Sequence, residues 1–167
     1  KAMQAAAASG EMGMPVMTYL GKGEALASLG RFAEAEKLLG EALSVSVETG
    51  SLGYQAELKM KLGLIAGKQG KQREAVGLLE QAADLAGKAG GDRLIAEARL
   101  ELARLQRAAK QLEAAHRSLA DGASYARKLN EPFLLPKLLG EQADLFLEQR
   151  RIAEARDALD EATDLLE

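Results

Sequence analysis

Cysteine is absent from all 167 residues. That excludes a disulfide framework and a thiolate metal site, and it fits a reducing, cytoplasmic setting. Histidine occurs once, at His116, with no neighbour to complete a metal site of the usual ligand count. Aromatic residues make up only 4%, so any core must close through small and aliphatic side chains. No apolar run approaches the ~20 residues a membrane span needs. The alanine-rich start lacks a charged region followed by a strongly apolar one, so no signal peptide is expected. The net charge is a mild -3, without the clustered Lys and Arg that a nucleic-acid surface requires. Glycine is plentiful, but no glycine-rich loop runs into Lys-Ser or Lys-Thr, as phosphate binding would need. Ser9, Ser28, Ser44, Ser46, Ser118 and Ser124 are scattered, with no nucleophile elbow among them. These absences leave no catalytic centre, no cofactor site and no metal site, and a non-enzymatic role is expected.

What is present is a repeat. Leu29-Gly30-Arg31-Phe32-Ala33-Glu34-Ala35 is echoed forty residues later by Gln69-Gly70-Lys71-Gln72-Arg73-Glu74-Ala75. It returns at Lys110-Gln111-Leu112-Glu113-Ala114-Ala115 and at Arg150-Arg151-Ile152-Ala153-Glu154-Ala155. A period in this range marks an array of similar structural units. Gly10, Gly50, Gly90 and Asn130 fall forty apart at one boundary. Gly and Asn tolerate the left-handed conformation that ends a helix. Ser51 and Asp92 follow as candidate N-caps, and Pro132 suits a first helical turn. A second break falls near Gly30, Gly70, Lys110 and Arg150. Each unit is therefore expected to be two helices joined by tight turns.

The helical pattern is plainest in the second helices. Phe32, Ala35, Leu39, Ala42 and Ser46 step by three and four, as do Leu112, Ala115, Leu119, Gly122 and Ala126. Ile152, Ala155, Leu159, Ala162 and Leu166 repeat the stripe. Each is one face of an amphipathic helix. Leu94, Ile95, Ala98, Leu102, Leu105 and Ala109 do the same for a first helix. Tyr54, Ala56, Leu58, Met60, Leu62 and Leu64 alternate as a strand would, but the repeat register assigns them to a helix. Pro136 delays or bends the fourth first helix, and Pro15 with Gly13 suggests a start near Met14 for the first. Residues 1–10 align with the end of a second helix. The array is expected to span 1–167: residues 1–10 are the tail of a truncated repeat, followed by repeats at 11–50, 51–90, 91–130 and 131–167. The chain reads as a piece of a longer array. Its exposed ends, Met3, Ala6 and Ala7 at one and Leu159, Leu165 and Leu166 at the other, are expected to self-associate.

His116 is expected on the solvent side. Glu34, Glu36, Asp157, Asp160 and Glu161 are expected on solvated outer faces. Basic residues gather at the turns inside repeats: Lys68 with Lys71, Arg107 with Lys110, Arg150 with Arg151. They complement the helix dipole or form a ridge facing an acidic partner.

In these residues the sequence resembles the tetratricopeptide repeat family. The small residue of the first helix falls at Gly23, Gly63, Ala103 and Ala143. The paired leucine is present at Leu62 and Leu102, with Lys22 and Gln142 in the outer units. Tyr19, Lys59, Arg99 and Leu139 stand where the family carries tryptophan. The second helix matches best, at Ala35, Ala75, Ala115 and Ala155 and then at Leu39, Leu79, Leu119 and Leu159. The family's closing proline is missing, and the period exceeds the usual ~34 residues. That departure is similar to the long-helix variety found in sensor segments of bacterial transcriptional activators and signalling ATPases.

The resemblance implies an all-α, right-handed superhelical solenoid of antiparallel helix hairpins, with the first helices lining its concave side. It implies a module that binds a protein or peptide in that groove. The alternative it implies is an effector-sensing segment of a larger regulatory protein, binding a small molecule. By register, the family's contact positions fall at Met17, Leu20, Glu24 and Ser28; at Glu57, Met60, Leu64 and Lys68; at Glu97, Leu100, Arg104 and Arg107; and at Lys137, Asp144, Leu147 and Glu148. Methionine and leucine there suit an apolar anchor. Arg104 and Arg107 suit a two-pronged grip on a carboxylate.

Overall fold

The computed structural model describes residues 13–129 and 132–166. Eight helices run through them: α1 Gly13–Ser28, α2 Phe32–Glu48, α3 Leu52–Lys68, α4 Gln72–Ala89, α5 Asp92–Ala108, α6 Leu112–Ala126, α7 Leu134–Glu148 and α8 Ile152–Asp164. Among the described residues there is no strand. The alternating run Tyr54–Leu64 is helical within α3. Gly10, Asn130 and the 1–10 tail lie outside the described residues.

One backbone device closes most of the turns. Gly30, Gly50, Gly70 and Gly90 all have φ between 69° and 74°. At the turn inside the first repeat, Arg31 N–H donates to Leu26 O at 2.9 Å and Gly30 N–H to Ala27 O at 3.1 Å. This paired pattern satisfies carbonyls that the helix end would leave open. It recurs as Lys71 to Ala66, Gln111 to Gln106 and Arg151 to Phe146. In the third and fourth repeats the left-handed residue is Lys110 (φ 59°) or Arg150 (φ 60°) in place of glycine. The residue after it then caps the next helix through its carbonyl, as Ala35 N–H donating to Arg31 O at 3.1 Å shows.

The described residues divide into two compact units between Gly90 and Gly91. Each holds two hairpins: α1/α2 and α3/α4 in the first, α5/α6 and α7/α8 in the second. Hairpins close through small residues. Ala35, Ala75, Ala115 and Ala155 are fully buried, as the repeat register requires. A Cβ on Gly63 would meet Leu79 Cγ at 3.0 Å and Ala75 O at 3.3 Å, so the helices of that hairpin touch nearly backbone to backbone. Leu39, Leu58, Leu79 and Leu119 fill the centres of these contacts. Burial of such a side chain stabilises by roughly 1.5–3 kcal/mol. The buried polar side chains are satisfied. Gln55 Nε2 donates to Ser46 O at 2.9 Å, and Ser118 Oγ donates to Gln106 Oε1 at 2.8 Å.

Several expectations need correction. Asp92 is the first residue of α5, and Gly91 is its N-cap. Ser51 occupies the N-cap of α3, but its side chain makes no capping hydrogen bond. Pro136 needs none: it is the third residue of α7, which begins two residues later in register than α3 or α5, the expected delay. There its missing N–H would have had no helical partner. His116 is half-buried: its Nε2 lies 2.9 Å from Gln149 Oε1 and its ring 4.9 Å from that of Phe146. Glu36 is also no outer-face solvated acid. It accepts from Gln69 Nε2 at 2.6 Å and Lys71 Nζ at 3.0 Å.

Candidate partner-binding face

In each unit the two first helices lie alongside each other, α1 by α3 and α5 by α7. The second helices do not approach in this way: α2 packs on α3 and α6 on α7. Paired first helices therefore form a two-helix floor in each unit.

Charged side chains bridge these floors. In the first unit Lys61 Nζ donates to Glu24 Oε1 at 3.1 Å. In the second, Arg104 Nε donates to Glu141 Oε1 at 2.6 Å and its Nη1 to Glu101 Oε1 at 2.8 Å. Arg107 Nε donates to Glu148 Oε1 at 2.7 Å, and its Nη1 reaches Glu141 Oε2 at 3.2 Å and Asp144 Oδ2 at 3.3 Å. Lys110 Nζ stands 3.7 Å from Glu148. Four carboxylates thus surround three cations. The hydrogen bond to Glu148 raises Arg107 above its ordinary pKa, and that from Arg107 lowers Glu148 below the ordinary glutamate value. Burial works against the charge of Arg104, but Glu141 and Glu101 outweigh it and leave its pKa raised.

The expected contact residues divide under this geometry. Met17 is 58% exposed. Glu24, Ser28, Lys68, Lys137, Asp144, Leu147 and Glu148 are also exposed, and Glu57, Leu64, Glu97, Arg104 and Arg107 are half-buried. Leu20, Met60 and Leu100 are not on an open face: they are buried at 6%, 7% and 2% exposure and pack between helices. Arg104 and Arg107 already hold carboxylates of this chain. Lys61, Glu101 and Glu141 were missed by sequence reasoning. A signal for them exists: Glu24–Lys61, Arg104–Glu141 and Arg107–Asp144 are each 37 residues apart. That is one repeat less about one helical turn, the offset at which adjacent first helices face each other.

The basic turn residues are largely committed as well. Lys71 pairs with Glu36, and Arg151 Nε donates to Glu154 at 3.0 Å while its guanidinium lies 4.6 Å over the Phe146 ring. Among the described residues no group of three His, Cys, Asp or Glu could hold a metal ion, and no helix is long and apolar enough to cross a membrane.

Tandem antiparallel hairpins with small-residue contacts define an all-α helical-repeat chain of the TPR-like solenoid type. Residues 16–88 match the family model of the tetratricopeptide repeat. The chain is similar to the crystal structure of BtubC (BKLC) from P. vanneervenii, with a TM-score of 0.78 and 18% identity, over 90% of this chain and 62% of that one. It spans about three-fifths of that protein. It is also similar to nearly identical TPR-like repeats from Podosopora anserina described as kinesin light chain, with a TM-score of 0.66 and 20% identity, over 90% of this chain and 74% of that one. No curated protein matches the chain. Repeats of this family are in general protein-interaction scaffolds, and catalysis is not their typical role.

Proposed function

We propose that this chain is a non-enzymatic module of the cytoplasm that binds a protein or peptide along its first-helix faces. The observation carrying this reading is the half-exposed ionic bridging of paired first helices. It offers a partner fixed, preorganised charges beside the apolar contacts of Met17, Leu64 and Leu147. In the second unit the arginines reach a partner only as members of a network in which carboxylates outnumber cations. An incoming acidic group therefore has to exchange with Glu141 or Glu148, and a basic group has Asp144 to meet.

The test is capture of a partner by the intact chain, followed by mapping of amide protection. Arg104→Ala with Arg107→Ala should weaken binding at least about tenfold, an ordinary loss for truncated interface arginines, while circular dichroism stays unchanged. Unchanged affinity in the folded double variant, with protection on α2, α4, α6 and α8, would overturn the assignment.

A small-molecule effector reading has one observation in its favour. A cleft of about 810 Å³ lies among Leu129, Pro132, Leu135, Pro136 and Leu165, with the 2.8 Å Arg127–Glu161 pair at its edge. It lies beside the late start of α7.

A further inference from the structure

We propose that the edge formed by the two inner turns of the second unit, around Lys110 and Arg150, docks an acidic peptide segment of a partner protein. The starting observation is backbone strain that the turns themselves do not require. Lys110 and Arg150 have φ of 59° and 60°, a region that disfavours any residue with a Cβ. Gly30 and Gly70 hold the same register in the first unit at φ 74° and reach it without that strain. The hydrogen bond closing the turn is the same in both units: Arg31 N–H donates to Leu26 O at 2.9 Å, and Gln111 N–H to Gln106 O at 2.8 Å. Contacts of the two side chains do not offset the strain. Among the described residues the Arg150 side chain is exposed and has no polar partner. Lys110 Nζ has only a loose 3.7 Å contact with Glu148, at 78% side-chain exposure. Strained residues of this kind collect where a ligand is held.

The two turns lie side by side. α5 runs beside α7, and His116, near the start of α6, reaches Gln149 at 2.9 Å. Packed helices stand about 8–10 Å apart, so both cations reach one bound segment. Charge identifies that segment. Across 107–114 and 147–154 the cations are Arg107, Lys110, Arg150 and Arg151, and the carboxylates are Glu113, Glu148 and Glu154. Glu148 already accepts from Arg107 at 2.7 Å and Glu154 from Arg151 at 3.0 Å. Cations therefore exceed carboxylates at this edge, whereas carboxylates exceed cations on the first-helix floor. A nucleic-acid backbone would carry its continuous row of phosphates past Glu113, Glu148 and Glu154. An acidic peptide presents its carboxylates singly and avoids them. In an extended segment, residues three apart lie about 10 Å apart, close to the spacing of neighbouring helices.

The test is fluorescence anisotropy with the full chain at low salt. The probe is a labelled, serine-rich peptide carrying two glutamates three residues apart, and its glutamine form is the reference. The glutamate peptide should bind at least about tenfold more tightly. Lys110→Gly with Arg150→Gly should lose at least about tenfold in affinity while raising the denaturant midpoint, so that unfolding does not explain the loss. Lys110→Asn with Arg150→Asn, which also suits the left-handed region, should lose it alike. Lys110→Arg with Arg150→Lys keeps the charge and should keep the binding. Lys37→Gln with Arg73→Gln removes two exposed cations of the first unit, the same change in net charge, and should leave binding as it was. Equal binding of the two peptides would overturn the inference, as would unchanged binding in the glycine and asparagine variants. So would an equal loss in the Lys37 and Arg73 variant, or single-stranded DNA binding as tightly as the glutamate peptide.

Discussion

Lys110 and Arg150 occupy the left-handed conformation that Gly30 and Gly70 hold at the same register. A side chain there costs about 1–2 kcal/mol against the ordinary helical well. Arg150→Gly and Lys110→Gly should therefore each stabilise the chain by about 0.5–1 kcal/mol after the added chain entropy of glycine is deducted, read as a raised denaturant midpoint. A lowered midpoint in both would mean that their side chains stabilise the turn more than the strain harms it. The location of these turns was legible in the sequence, because Lys110 and Arg150 fall forty and eighty residues beyond Gly70. Their conformation was not legible, because neither residue type favours it. The interior face of the first helices was read only in part. Transfer by register put Leu20, Met60 and Leu100 among the contacts, yet the stripe that packs hairpins together claims them. His116 was misplaced because its partner, Gln149, lies 33 residues away.

At the scale of elements, the arginine network bridges α5 and α7 beside their apolar contact. Its acid sensitivity has a definite sign. Glu148 is held below its ordinary pKa by the hydrogen bond from Arg107, so the folded chain binds fewer protons there than the unfolded one. That contribution to stability is complete above the ordinary glutamate pKa of ~4.3 and is lost as pH falls through the lowered folded value. Glu148→Gln should melt below the parent at neutral pH, and the gap should shrink on acidification through that window. A gap constant with pH would show that Glu148 acts by packing alone. Added salt should narrow the gap as well, because these side chains remain partly exposed. The 37-residue spacing of opposite charges made this network legible in principle. Which carboxylate meets which arginine depends on side-chain reach, which the pattern does not carry.

At the scale of the whole chain, stability in a repeat architecture is close to a sum of local terms. Ala75 is fully buried where α4 crosses α3. Ala75→Leu should cost about 1–3 kcal/mol through overpacking, against about 0.5 kcal/mol or less for the surface change Glu80→Ala. Hydrogen exchange should report most of that loss in α3 and α4, with α7 and α8 retaining the parent's protection. Equal melting of Ala75→Leu and the parent would mean that the register is wrong. Uniform loss through all eight helices would mean that the chain melts as one cooperative block.

The recurrence of a single turn device has a consequence for how such a gene can change. Gly50 and Gly90 end their helices with nearly the same left-handed backbone, φ 69° and 73°, and a new helix begins two residues after each. An in-frame excision joining Gly50 to Gly91, or a duplication inserted there, leaves the junction itself unaltered. Recombination between neighbouring copies therefore changes the number of hairpins without creating a splice that the backbone has to learn anew. The side chains that meet across the new joint are left to be tuned one substitution at a time.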